Sequence, residues 1–137
     1  MLVKLRWKRG PEPDAPAFVA ATRTDFARCR DMPTAAIAAL RLRRAVPRTV
    51  GQIGLGLAME PPWRKTTWSI SAWSSPDELR AFLGSPEHVA IVRRFRHRVS
   101  VRSETWTVSR FVRRDAWHTA TARLATDQED DSAPPCR

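Results

Sequence analysis

The sequence predicts an α+β domain in which an antiparallel β-sheet carries helices on one of its faces. Four segments show the two-residue alternation of half-buried strands, and the segments between them show the spacing of amphipathic helices. They follow one another in the order βαββαβ, and a further helix lies near the C-terminus. Strands and helices in this order bury one face of a mixed, mostly antiparallel sheet.

The first predicted elements are a strand over residues 18–26 and a helix over residues 35–45. The strand alternates apolar and polar side chains. Arg23 and Asp25 share one face of it, as a surface ion pair or as ligand contacts. Thr34 is the predicted cap of the helix.

Two neighbouring strands are predicted at residues 53–59 and 66–73. The first alternates bulky side chains with Gly54, Gly56 and alanine, so one of its faces is bare and open to close approach by another layer or a ligand. The second is rich in β-branched and aromatic residues, with Trp68 on one face.

Two short helices then begin at Ser75 and Ser85, each of which stands before a proline. Ser75 and Glu78 form a capping-box pattern. The second helix carries a stripe that begins with a histidine in the first turn. The stripe consists of His88, Ile91, Val92, Phe95 and Val99. A histidine in this position is either a partly buried side chain bonded to backbone or a pocket residue that accepts a proton or binds a metal.

The last predicted elements are a strand over residues 100–111 and a helix capped by Asp115, in which Trp117, Thr121 and Leu124 share a face. The domain therefore spans residues 17–126. Residues 1–16 form a flexible basic arm, because three prolines oppose regular structure there. Residues 127–137 form a disordered acidic tail.

Composition limits the classes of function. The net charge of +10 occurs without a nucleic-acid-binding motif, so we expect a solvated basic surface and no nucleic-acid partner. No apolar run is long enough for a membrane span, and the basic N-terminus lacks an apolar export signal, so a cytoplasmic protein is expected. Cys29 and Cys136 suggest neither a disulfide framework nor a zinc cluster.

The element order predicts the ferredoxin-like arrangement, with the first and third strands central and the helices on one sheet face. The other face then needs a cover. A second copy of the chain would supply one, so we expect a homodimer, a dimeric α+β barrel with an extra C-terminal helix.

Residues 64–111 carry a family resemblance. The segments W-S-I-S-A-W-S-S, L-R-A-F, S-P-E-H-V-A-I-V-R-R-F-R and S-E-T-W resemble the spheroidene monooxygenase type of sequence. More broadly, the chain resembles the dimeric α+β-barrel superfamily, which includes antibiotic-biosynthesis and heme-degrading monooxygenases. The resemblance implies fold more specifically than reaction, because the superfamily also holds cyclases, dehydratases and stress proteins.

The heme-degrading branch can be tested by residue. Aligning its first Trp with Trp73 places its helical Trp at Phe82 and its iron-ligand His at Val92. Its pocket asparagine falls where Ala21, Thr22 and Arg23 stand. We therefore expect no cofactor, with heme as the alternative that the spheroidene type implies through a histidine near His88.

The leading hypothesis is a monooxygenase-like oxidoreductase of secondary metabolism that acts on a hydrophobic polycyclic or polyene molecule. His88 is the candidate catalytic base, deprotonating a phenol or enol so that the carbanion reacts with oxygen. The predicted pocket lies between the sheet and the helices. The candidate substrate-binding residues are Arg23, Trp68, Trp73, Phe82, Ile91 and Trp106.

Two alternatives use the same residues. One is a cyclase or dehydratase with His88 as acid and base and no oxygen chemistry. The other is a non-enzymatic ligand-binding dimer in which His88 is hydrogen-bonded within a packed core.

Overall fold

The computed structural model describes residues 2–61 and 64–125. Its strands and helices lie in the predicted order, with two short strands added at the start. The bounds are β1 Val3–Lys4, β2 Lys8–Arg9, β3 Ala17–Phe26, α1 Met32–Ala45, β4 Gln52–Met59, β5 Thr66–Trp73, α2 Pro76–Leu83, α3 Pro86–Phe95, β6 Val99–Val108 and α4 Arg113–Leu124.

All the strand pairs are antiparallel, and within the described residues the strands form one sheet in the order β1-β4-β5-β3-β6, with β2 also paired to β4. The strands predicted first and third, β3 and β5, are central. The ferredoxin-like α+β prediction is therefore confirmed. None of the described helices combines the length and apolarity that a bilayer crossing requires.

Two of the four helices begin directly after the predicted capping residue. The hydroxyls of Ser75 and Ser85 each accept a hydrogen bond from the amide three residues later, at 3.4 Å. The Thr34 cap is wrong, because α1 begins at Met32 with a proline in its first turn, where the fixed φ of proline favours the helix. The Asp115 cap is also wrong: Val112 precedes α4, and Asp115 lies inside the first turn, where its charge suits the helix dipole.

The sheet has two unlike faces. On the first, which we call the α4 face, side chains of β3, β5 and β6 pack against α4, and most are fully buried. The register places Val19 opposite Ala72 and Ala21 opposite Ile70 on this face. Four residues of α4 contact this face, two of them small and two large: Ala116, Ala120, Trp117 and Leu124. The alanines let the helix approach the strands closely.

The second face carries the alternate residues and is contacted by α2. We call it the α2 face, because Trp73 at the end of β5 contacts Phe82 of α2, with ring centroids 5.1 Å apart. Cross-strand pairs on this face include Phe18 with Trp73 and Thr22 with Ser69.

The N-terminal arm is more regular than expected. Val3–Lys4 and Lys8–Arg9 both pair with β4, so the prediction of an arm without regular structure is wrong for these residues. Trp7, between them, stacks on Phe111 with ring centroids 4.9 Å apart. Trp7 also lies over Gly54, where an added Cβ would meet its ring at 2.3 Å. The bare face of β4 thus receives another layer, as the alternation predicted.

The arm and α4 together cover the face that was expected to need a second copy. These segments take the place that the second copy was expected to fill, and the homodimer stays a prediction. Strand β6 also ends at Val108 rather than at residue 111, because Phe111 turns into the core beside Trp7.

The cysteine prediction needs one correction. Cys29 is disulfide-bonded. Cys136, the other cysteine of the sequence, lies outside the described residues, as does the predicted acidic tail.

Candidate functional site

The α2 face is incompletely covered at the centre of the sheet. Along β3, Ala17, Val19 and Ala21 on the α4 face are at most 1% exposed, whereas the residues between them on the α2 face are only half-buried. On the α2 face, the half-buried positions of the three inner strands are small, aliphatic or hydroxylic, apart from one phenylalanine. They are Phe18, Ala20, Thr22, Thr24, Leu55, Leu57, Thr67, Ser69 and Ser71. These side chains therefore keep part of their surface exposed on the α2 face.

An aromatic cluster closes one end of this surface. Trp73 is fully buried, and its ring contacts that of Phe82. The ring of Phe82 lies 5.1 Å from the ring of His88, at a tilt of 55°. Trp73 Nε1 is buried and has no hydrogen-bond partner among the described residues. A buried donor without a partner is costly.

The hydrogen bond of His88 defines its chemistry. Its Nδ1 lies 3.2 Å from the carbonyl oxygen of Leu83, one of the last carbonyls of α2. A carbonyl only accepts, so Nδ1 carries a proton and donates it. In the neutral ring, Nε2 then holds the lone pair and is the atom that accepts a proton or a metal. The cap bond from the His88 amide to Ser85 fixes the start of its helix.

The remaining predicted pocket residues do not all join this cluster. Arg23 pairs with Trp68 across β3 and β5, and Trp106 pairs with Val19, so these three side chains lie on the α4 face. Trp68 and Trp106 therefore do not share a sheet face with Trp73, which contacts Phe82, and the structure does not bring all the predicted lining residues together. The parity of β5 already separates Trp68 from Trp73, because residues five apart in a strand point to opposite faces.

Arg23 has a structural position. Its guanidinium donates to the carboxylate of Asp25 at 3.2 Å and to the carbonyl of Leu124 at 3.2 Å. It also lies 5.5 Å from the ring of Trp68. Arg102 donates to the same carbonyl at 2.7 Å. The pairing of Arg23 with Asp25 was foreseen, but the Arg23 side chain is only 11% exposed and binds the C-terminus of α4 to the sheet.

The stripe on α3 is narrower than predicted. Phe95 is buried and Ile91 is half-buried, but Val92 is 50% exposed. The position at which the heme-degrading branch has its iron ligand is therefore a solvent-facing valine. Within residues 2–61 and 64–125, no three His, Cys, Asp or Glu side chains are grouped to hold a metal ion. These residues do not fit the heme site of that branch.

The comparisons with known proteins support the fold. No protein-family model matches the sequence, and no curated protein does so. The solved structures that share its fold include a cofactor-independent oxygenase and several candidate monooxygenases. SnoaB of Streptomyces nogalater, a cofactor-independent oxygenase, is 15% identical, with a TM-score of 0.57 over 72% of this chain and 99% of SnoaB.

Two further structures are similar. A candidate antibiotic biosynthesis monooxygenase from Deinococcus radiodurans is 10% identical, with a TM-score of 0.59 over 69% of this chain and 95% of that one. A candidate monooxygenase from Lactobacillus acidophilus has a TM-score of 0.60 at 9% identity, and this chain spans 46% of its length. The unit from β3 to β6 comprises 92 of the 137 residues, close to the share that SnoaB matches.

Proposed function

We propose that the protein is a monooxygenase-like oxidoreductase that acts on a flat, hydrophobic molecule of secondary metabolism at the α2 face. The observation that carries the proposal is the arrangement of His88. Its Nδ1 is occupied by the Leu83 carbonyl, so Nε2 is the free proton acceptor beside the aromatic pair of Phe82 and Trp73. The shared fold with SnoaB, a cofactor-independent oxygenase, adds support.

The proposed reaction begins with removal of a proton from an acidic C–H or O–H group by Nε2 of His88. Proton removal by a positioned side chain is general-base catalysis, in which histidine is the residue used most often. The resulting carbanion reduces O₂ and forms a C–O bond, and the hydroperoxide then loses water. For a methylene substrate the balance is R₂CH₂ + O₂ → R₂C=O + H₂O. The electrons come from the substrate, so the proposal needs no cofactor.

The binding surface suits such a substrate. A polycyclic body would lie on the half-buried strand residues, with Phe82 at its edge.

Oxidation of anthrone in air-saturated buffer tests the proposal. The tricyclic anthrone has an acidic methylene, and its conversion to anthraquinone is followed by chromatography together with oxygen uptake. We expect His88→Gln to lower turnover by about 100-fold or more. It should leave the melting temperature within a few degrees, because glutamine keeps a donor for the Leu83 carbonyl.

His97→Gln is the matched control, because His97 is exposed beyond the end of α3. It should retain full turnover. If a well-folded His88→Gln protein kept the turnover of the unchanged protein, the assignment of His88 as the base would be contradicted. Binding of anthrone without oxygen uptake would favour the non-enzymatic ligand-binding alternative, which the structural bond from His88 to Leu83 also suits. Conversion without oxygen uptake would favour a cyclase or dehydratase.

We also propose that any homodimer forms through the free edge of β6 rather than across the covered α4 face. β6 pairs with β3 on one side only among the described strands, and most of its ten residues are exposed. If two copies pair antiparallel about Ser103, Arg102 of one copy lies opposite Glu104 of the other. This strand is therefore complementary in charge to its own copy.

A further inference from the structure

A cleft of about 640 Å³ lies between the N-terminal arm and α4. Its lining includes Trp7 and Leu5 from the arm, Gly56 from β4, and Trp117 from α4. Gly56 is on the α4 face of the sheet, opposite to the face that carries Trp73. The cleft is therefore separate from the site at His88, and its volume is typical of small-molecule sites.

The floor of the cleft is aromatic because Gly56 has no side chain. A Cβ at this position would come within 3.0 Å of the Trp7 ring and 3.1 Å of the Trp117 ring, so glycine is what lets both indoles pack onto the strand. Trp7 is held from behind by its stacking on Phe111. The result is a rigid apolar floor that suits a flat body.

The rim of the cleft is strongly basic. Lys4 and Arg6 stand on the arm, and Arg113 and Arg114 stand on the first turn of α4. None of these four cations forms an ion pair within the described part of the chain. Among the residues that the structure describes, Asp115 is the one carboxylate that lines the cleft. The local charge therefore favours an anion above an aromatic floor.

We propose that this cleft is a second binding site, for a small molecule with a flat apolar body and an anionic group such as a carboxylate, sulfonate or phosphate. The body contacts Trp7 and Trp117, and the anionic group is held between the cations of the arm and those of α4. This inference does not depend on the oxygenase proposal, which uses the other face of the sheet.

Two fluorescent probes separate charge from hydrophobicity. The anionic probe is 8-anilinonaphthalene-1-sulfonate, and the neutral probe is N-phenyl-1-naphthylamine, which is the same molecule without the sulfonate. We expect the anionic probe to bind more tightly than the neutral one, and we expect its affinity to fall when salt is added. The double variant Arg113→Gln, Arg114→Gln should weaken the anionic probe by about tenfold or more and leave the neutral probe within twofold.

The matched control is Arg93→Gln, Arg94→Gln, another adjacent pair of exposed arginines on a helix. It should change neither affinity by more than twofold. A second variant, Lys4→Gln with Arg6→Gln, tests the opposite wall and should also weaken the anionic probe. Equal binding of both probes, or unchanged affinity in the Arg113/Arg114 variant, would overturn the proposal.

The histidines provide a local readout. The sequence has three, and His118 lines this cleft, His88 lies at the other site, and His97 lies at neither. In proton NMR spectra the anionic probe should shift the ring resonances of His118 and leave those of His97 in place. A shift at His88 alone would show that the probe occupies the proposed oxygenase site, and would refute the cleft. Loss of anthrone turnover in His88→Gln leaves this test unaffected, so the two proposals fail separately.

Discussion

Replacing Ala120 by glutamate should separate α4 from the sheet or unfold the protein. Ala120 is fully buried at the centre of the contact between α4 and the strands. A carboxylate there has to be protonated or forced to water. At pH 7, protonating a group with an ordinary pKa of about 4.3 costs about 3.7 kcal/mol, since each pH unit is worth about 1.36 kcal/mol. Crowding by the extra atoms adds about 1–3 kcal/mol.

The expected loss is therefore about 5 kcal/mol, a large part of the stability of an ordinary domain. For 137 residues, an unfolding entropy of about 2.1 cal/mol/K per residue converts 1 kcal/mol into about 3.5 °C. Thermal unfolding followed by circular dichroism should thus show a drop of about 15–20 °C for Ala120→Glu. Ala122→Glu is the matched control on the exposed side of the same helix and should stay within about 2 °C.

The pH dependence separates charge from crowding. Burial raises the folded-state pKa of the introduced carboxyl above its unfolded value. The added destabilisation is then present above the unfolded pKa and disappears as the pH falls below it. Between pH 7 and pH 4 the difference in stability between Ala120→Glu and Ala122→Glu should shrink to the cost of crowding alone. Equal melting temperatures for Ala120→Glu and Ala122→Glu at pH 7 would refute the placement of α4 on the sheet.

Two other predictions concern partners. Added hemin should not produce a sharp, His88-dependent Soret band, because the exposed Val92 occupies the position of the iron ligand in the heme-degrading branch. An absorption titration checks this, and a sharp band that is lost in His88→Ala would contradict it. Light scattering should report about twice the 15.6 kDa of the chain, and Glu104→Lys should shift the population toward monomer, because like charges would then oppose each other across β6. A dimer that is insensitive to this charge reversal would exclude the β6 edge.

Much of the fold could be predicted because local signals agree with the tertiary structure. The alternation of β5 gave residues 66–73 without error, and the Ser-Pro pairs gave the starts of α2 and α3. Strands β1 and β2 were missed because two-residue edge strands have no periodicity of their own. They exist only because β4 offers them an edge.

The candidate site was predicted in part. His88, Phe82 and Trp73 were named from the sequence and lie together. Trp68 and Trp106 were grouped with them because they are large and aromatic, although strand parity places them on the other face. A partly buried His88 bonded to backbone was one of the two predictions, and the structure has this bond. Which carbonyl it contacts could not be predicted, since a backbone contact between two helices leaves no sequence signal. The cleft at α4 has a weak signal, which is the occurrence of Trp7 and Trp117 among basic residues at opposite ends of the chain.

The covering of the α4 face by segments of the same chain has a consequence for folding at different concentrations. When a second subunit buries a sheet, mass action links folding to protein concentration, and dilution lowers the apparent melting temperature. Here Trp7 and α4 are tethered to the strands that they cover, so their local concentration is fixed by the chain. Association through the β6 edge would leave this core intact. The monomeric form should therefore melt at nearly the same temperature over a hundredfold range of dilution.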